Sequence, residues 1–312
     1  MVNEQQGWRI HPAAAVFSNW AAPDGMTLRR MDWPAAARRK PRGSLLFVNG
    51  RGDFIEKYLE TYARFAAAGW RVTSFDWRGQ GGSQGPGAEK ALAGFDILVD
   101  DLDALIADWR TAGPGPYVVL GHSMGGHLVL RTIIDRRPAL DAAILTAPML
   151  EVNSAPIPIR IAPDIADTMY CLGFGRTPMW KTPPAMIVPG GRRNRNLTGS
   201  RERYEDELHW WGVEPGFNLG PPSFGWMRAA FRSRAATFTP EKLGKVDLPI
   251  LIIGAEKDRL VSAAAIREAA ALLPHVELEM MPDAAHEILR DADPVRDRAL
   301  ARIDAFLAGL KA

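Results

Sequence analysis

The stretch Tyr117-Val118-Val119-Leu120-Gly121-His122-Ser123-Met124-Gly125-Gly126 decides how the rest of the chain is read. An apolar, strand-like run enters Gly-x-Ser-x-Gly, and His127-Leu128-Val129-Leu130-Arg131-Thr132-Ile133-Ile134 after it has the pattern of an opening helix. Strand, tight turn and helix are the setting in which Gly-x-Ser-x-Gly works as a nucleophile elbow. Displaying a serine at the top of a buried strand needs a strained backbone, and the flanking positions then have room only for hydrogen.

Moving outward, the same alternation of strands and helices appears on both sides. Ala15 to Trp20, the turn Pro23-Asp24-Gly25 and Met26 to Trp33 read as an antiparallel hairpin. Ser44 to Asn49 is a short apolar run of the kind buried in parallel sheets. A helical stretch with Tyr58, Leu59, Tyr62, Phe65 and Ala66 on one face stops at Gly69, and Arg71 to Trp77 is the next strand. The loop Arg78-Gly79-Gln80-Gly81-Gly82-Ser83 is dense in glycine, but no Gly-Lys-Ser/Thr follows and it opens no helix directly, so it is not read as a phosphate loop. A helix over about 95–110 leads to the serine strand, and Ala142 to Pro148 is another buried strand. The pattern implies a mostly parallel sheet with helices on both faces.

From about Met149 to Ser233 the pattern breaks, with many Pro, Trp, Met and Arg residues and no clear strand. It resumes with a strand at Leu248–Gly254, a helix at Ala263–Leu273, a strand at Val276–Met281 and a closing helix over about 294–310. The expected organisation is a core in two parts, residues 1–148 and 236–312, with an inserted, mainly helical cap at 149–235.

The 312-residue composition, 47% apolar and 24% charged, is that of an ordinary globular chain. A formal charge of +2 is too small to suggest nucleic acid as a partner. The single cysteine, Cys171, excludes an internal disulfide and reads as a small buried apolar residue rather than a nucleophile. Met1 to Trp8 has neither a charged n-region nor an apolar h-region, and no apolar run approaches a membrane span. The expected compartment is the cytoplasm, with a peripheral visit to a membrane left open.

A serine hydroxyl needs an imidazole to take its proton and a carboxylate to hold that imidazole. Behind a nucleophile elbow these follow in the order Ser, Asp/Glu, His. Asp258 lies just past the strand ending at Gly254, at the carboxyl edge where open α/β sheets place their ligands. Glu256 is its rival, and Asp247 precedes the same strand. Of the histidines downstream, His209 falls in the cap, His275 precedes a strand, and His286 follows the last strand. The expected catalytic set is therefore Ser123, Asp258 and His286. Two backbone N–H groups must face the developing oxyanion. Met124 supplies one, and the turn Asn49-Gly50-Arg51-Gly52 supplies the other through Arg51. The glycines there also fit a plain tight turn, which is compatible with that role. His122 and His127 are taken as structural.

With these residues in place, the chain resembles the α/β-hydrolases, and within them the serine hydrolases that include monoacylglycerol lipases and bacterial lysophospholipases of the L2 type. The resemblance rests on Asn49 to Tyr58, on Asp76 to Gly81, on Gly121 to His127, on the segments around Asp258 and His286, and on Asn194-Arg195-Asn196-Leu197-Thr198. It implies an α/β-hydrolase fold, a mostly parallel central sheet flanked by helices, and hydrolysis of an acyl ester through an acyl-serine intermediate. It implies no metal and no organic cofactor. Many relatives carry His-Gly where this chain has Asn49-Gly50, which keeps the backbone donor and removes a side chain that could buttress the turn.

A cap rich in Trp, Met, Ile and Pro suits an apolar acyl chain, with Met149, Trp210 and Trp226 as candidate substrate contacts. Arg192, Arg193, Arg195, Arg201 and Arg203 could greet a lysophospholipid phosphate, or simply be a solvated surface. The expected partner is a small lipid or ester. A peptidase of the proline-iminopeptidase kind and a non-enzymatic receptor on the same fold are the alternatives. The peptidase would need an acidic site for an amino group, against the basic balance of the cap.

Overall fold

The computed structural model describes residues 8–36 and 41–310. The stretch read as lacking a signal sequence lies, up to Gly7, outside them. One eight-stranded sheet runs through the molecule in the order β1-β2-β4-β3-β5-β6-β7-β8. Its strands are β1 (Val16–Ala21), β2 (Thr27–Trp33), β3 (Gly43–Val48), β4 (Trp70–Phe75), β5 (Tyr117–His122), β6 (Ala142–Thr146), β7 (Ile250–Ala255) and β8 (Val276–Met281). The β1–β2 hairpin and the β2–β4 pair are antiparallel, and all other neighbours are parallel. This is the expected mostly parallel central sheet, entered through an antiparallel hairpin.

Helices cover both faces, so the central strands are apolar throughout, yet their side chains still alternate between two separate cores. Leu46 and Val48 of β3, Val119 of β5 and Ile250 and Ile252 of β7 enter one core. This core is closed by α2 (Asp96–Thr111), α3 (Met124–Arg136) and α10 (Ala263–Ala270). Leu45, Phe47, Val118, Leu120, Leu251 and Ile253 enter the other. There they meet α1 (Leu59–Ala67) and α11 (Asp293–Gly309).

Between β6 and β7 the chain forms no strand beyond two isolated bridges, and its helices are α4 (Ala162–Met169), α5 (Pro184–Ile187), α6 (Arg192–Leu197), α7 (Arg201–Val213), α8 (Phe224–Thr237) and α9 (Pro240–Leu243). Most are short, as the repeated prolines and glycines of this region require. Cys171 corrects its sequence reading, because it is exposed. It lies in the irregular turn Tyr170–Phe174 that continues α4, where Gly173 breaks the helix at φ 89°.

Candidate active site

The site is assembled at the carboxyl ends of β3, β5, β6, β7 and β8. At the end of β5, Ser123 adopts φ 51° and ψ −116°, a region non-glycine residues rarely occupy. Two packing constraints hold it there. A Cβ on Gly121 would lie 2.8 Å from the backbone of Gly125, and one on Gly125 would overlap the Val48 carbonyl oxygen. The Ser123 N–H donates to Thr146 O at 3.0 Å, and its carbonyl accepts from Met149 N and His127 N, each at 3.0 Å. Helix α3 starts immediately after it.

Two loops bring the other groups to the serine. Asp258, in the loop after β7, and His286, in the loop after β8, are both buried side chains. Ser123 Oγ lies 2.9 Å from His286 Nε2, and His286 Nδ1 lies 2.6 Å from Asp258 Oδ2. The second Asp258 oxygen accepts the N–H groups of Leu260 (2.7 Å) and Val261 (3.1 Å), which fixes the carboxylate plane. Burial pushes the His286 pKa down, but the adjacent Asp258 carboxylate outweighs it and the net shift is upward. For Asp258 burial works upward, and the histidine and the two backbone donors bring its pKa below the ordinary value. This arrangement can deprotonate a hydroxyl and hold the resulting imidazolium.

The rival candidates lie elsewhere. Glu256 pairs with Arg267, His275 with Asp247 at 3.2 Å, and His209 faces the Arg9 carbonyl at 3.2 Å. His122 and His127 are buried, and burial holds each pKa down to about 4. His127 bridges Met149 O (2.8 Å) and Ser233 Oγ (2.7 Å), joining the serine helix to α8.

The turn after β3 packs directly on the nucleophile. A Cβ on Gly50 would come within 3.2 Å of the Ser123 Cβ. Its N–H donates to Asp53 Oδ2 at 2.9 Å and that of Gly52 to Gln80 Oε1 at 2.5 Å. Among the described residues the N–H of Arg51 between them meets no protein acceptor, and neither does that of Met124. The glycine-dense loop is thus a brace for this turn, through Gln80. Asn49 braces it as well, which corrects the expected loss of a buttress: its Nδ2 donates to Phe75 O at 3.0 Å, and Tyr62 donates to its Oδ1 at 3.2 Å.

Sequence reasoning missed a buried ionic cluster beneath the site. Lys57 Nζ lies 2.6 Å from Asp53, 2.6 Å from Glu287 and 3.3 Å from Glu207. Arg290 pairs with Glu287, and Arg193 with Glu207 at 2.7 Å. The cluster joins the Arg51 turn, the His286 loop and helices α6 and α7. The spacing Asp53-x-x-x-Lys57 was a visible hint for one pair only.

The candidate substrate contacts separate. Met149 and Trp226 belong to the same core as Met124. Trp210 instead donates its indole N–H to Trp8 O at 3.0 Å and stacks on His11. The arginine group is largely committed: Arg193 to Glu207, Arg203 to Glu60 at 2.6 Å and Arg201 to Glu205 at 2.7 Å. Arg193 and Arg203 are therefore held by buried or half-buried carboxylates rather than presented to a ligand.

A family model described as serine aminopeptidase, S33, matches residues 39–293. A probable lysophospholipase L2 of Haemophilus influenzae is 28% identical over 286 residues, covering 90% of this chain and 88% of its own. Lysophospholipase L2 of Escherichia coli is 29% identical, covering 82% and 78%. A monoacylglycerol lipase of Mycolicibacterium smegmatis is 23% identical, covering 81% and 84%. Among solved structures, a soluble variant of the Saccharomyces cerevisiae monoglyceride lipase superposes with a TM-score of 0.74 at 18% identity, covering 95% of each chain. With the family model spanning most of its length, the chain belongs to the serine aminopeptidase S33 family of α/β-hydrolases.

Proposed function

We propose that the protein is a serine carboxylic-ester hydrolase that releases a fatty acid from a lysophospholipid or a monoacylglycerol. The observation that carries this reading is the relay Ser123 Oγ–His286 Nε2–Asp258, closed at 2.9 and 2.6 Å beside two unengaged backbone N–H groups. Ser123 attacks the ester carbonyl while His286 takes its proton. The N–H groups of Arg51 and Met124 stabilise the oxyanion, and His286 returns the proton to the departing alcohol. Water then repeats the sequence on the acyl-serine. The lysophospholipases and monoacylglycerol lipases among the relatives support an acyl-glycerol substrate.

In this reading residues 149–235 serve as a cap whose Met149 and Trp226 line the acyl path. The cap also meets the lipid surface from which substrate is drawn. Large apolar side chains stand exposed along it, Leu172 at 65% and Trp180 at 53% among them, with Ile161, Phe174 and Val188. The cations Arg160, Arg176, Lys181 and Arg192 are interspersed in the same stretch. Such a mixture suits an anionic membrane face. The S33 description also names aminopeptidases. An α-ammonium would need a free carboxylate facing the substrate, whereas Asp258 is engaged by His286 and Asp53 and Glu287 are engaged by Lys57.

The test is fatty-acid release from lysophosphatidylcholine, monoacylglycerol and a short nitrophenyl ester. Wild type should turn over all three, and Ser123→Ala should lose about a thousandfold or more in kcat. Equal release by the two proteins would end the proposal.

A further inference from the structure

The loop that carries His286 leaves the sheet at its edge. Strand β8 pairs with β7 alone, so no further strand flanks the loop on its outer side. A catalytic base must be held to a fraction of an ångström, since a displacement of about 1 Å can cost roughly a hundredfold in rate. The neighbour that the sheet does not provide is supplied by residues 194–200, at the end of α6. Leu197 O accepts the Glu287 N–H at 2.7 Å, and Asn196 O accepts that of His286 at 3.4 Å. The Thr198 hydroxyl donates to Arg290 O at 2.6 Å and accepts the Ser200 N–H at 2.9 Å. Asp291 completes the seam. One of its oxygens takes the N–H groups of Gly199 (2.6 Å) and Ala292 (2.7 Å), and the other takes that of Ala285, just before His286, at 2.6 Å. Gly199 permits this approach, because a Cβ there would lie 2.6 Å from the Asp291 oxygen. Thr198 is 1% exposed and Asp291 2%, so water offers no substitute partner if either is removed.

We infer that Thr198 and Asp291 are positioning residues that clamp the His286 loop to residues 194–200 and so hold the imidazole in line with Ser123 and Asp258. The inference rests on the ester-hydrolase reading and gives this part of the segment between β6 and β7 a task of its own, as the mount of the base. Neither side chain bonds to a member of the relay. Both act on the main chain around it: Asp291 on the N–H preceding His286, Thr198 on the carbonyl of Arg290 beyond it. Together with the Leu197 carbonyl on Glu287, they fix the loop on both sides of the imidazole.

The experiment follows turnover of a short nitrophenyl ester by wild type, Thr198→Val, Thr198→Ser and Asp291→Asn, with active sites counted by exhaustive fluorophosphonate labelling so that unfolded protein does not enter the rate. Acylation and deacylation both use His286, so whichever limits turnover reports on its placement. Per labelled site, kcat should fall about tenfold to a hundredfold in Thr198→Val and Asp291→Asn, with KM within about threefold of wild type. Thr198→Ser keeps the hydroxyl and should recover most of the loss. Thr198→Val changes no charge, and in it the acid limb of kcat/KM should move to lower pH, because an imidazole less firmly set against Asp258 loses part of what raises its pKa. A purely structural role would lower the thermal midpoint and leave both the rate per site and the acid limb in place. A rate per site within about twofold of wild type in either variant overturns the inference, and Thr198→Val decides alone if Asp291→Asn does not fold. Failure of the hydrolase reading looks different: no release from any substrate depends on Ser123, and that result overturns both.

Discussion

The carboxyl edge of the sheet and the helical segment above it are held together by different physics. At the edge, position is set by backbone packing and short polar contacts. Gly121, Gly125 and Gly50 allow main chains to approach, and Asp258 is fixed by two N–H groups before it meets His286. Between β6 and β7, α8 packs Trp226, Met227 and Phe231 into the core, while α6 and α7 are also tied to it by charge. Arg193–Glu207–Lys57 and Arg203–Glu60 are those charged ties. A region fixed by main-chain contact tolerates almost no change in shape. One fixed by ion pairs tolerates changes of shape but not the loss of one partner, which strands the other charge in a dry place.

The largest expected effect is on the edge. Asp258→Asn preserves its shape but leaves His286 in the wrong tautomer and its cation unsupported. It should lower kcat about a thousandfold to ten-thousandfold with little change in thermal midpoint; steady-state kinetics and calorimetry on the same preparation check both. The charged tie comes next. Lys57→Met leaves Asp53, Glu207 and Glu287 facing one another without their shared ammonium. It should cost about 3–5 kcal/mol in denaturant unfolding. A loss below 1 kcal/mol would mean that the cluster is not what joins the two regions.

A third test uses pH. The base must be neutral to act, and the Asp258 carboxylate raises the pKa of His286 against the effect of burial. The acid limb of kcat/KM should therefore lie above the ordinary histidine value of about 6.5. In the residual activity of Asp258→Asn it should move to lower pH, since burial is then opposed only by the weaker pull of Glu287 and Asp53. The smallest effect on stability belongs to the outer surface of the cap. Leu172→Asp should change unfolding free energy by less than about 0.5 kcal/mol. Its activity on lipid in anionic vesicles should still fall relative to a monomeric ester. An equal change on both substrates would remove the lipid-surface contact from the proposal.

What could be read in advance follows the same division. The strands, the elbow and the order Ser123, Asp258, His286 were legible because they depend on local patterns and on which end of a strand a loop leaves. Asp247 and His275, set aside because they precede strands, pair with one another. The cluster around Lys57 joins residues far apart in sequence, and nothing in a charge pattern says which distant carboxylate will close on it. The arginines of the cap looked available for the same reason: their partners Glu60 and Glu207 become visible only once the chain has folded. Asn49 looked like a loss because its acceptors on β4 are contributed by another strand.

His122 and His127 give the protein a built-in response to acid. Both are kept neutral in the fold with pKa values near 4, well under the value of about 6.5 expected once the chain is unfolded. Between those values the unfolded chain holds protons that the native protein excludes, so the stability these two histidines contribute is complete above about pH 6.5 and drains away as pH falls toward 4. His127 sits buried where the serine helix meets α8, and it is this burial, with the nearby Arg131, that resists its protonation, so a charge there favours opening the junction. Acid should therefore loosen the roof of the site together with the floor, and inactivation should be accompanied by proton uptake.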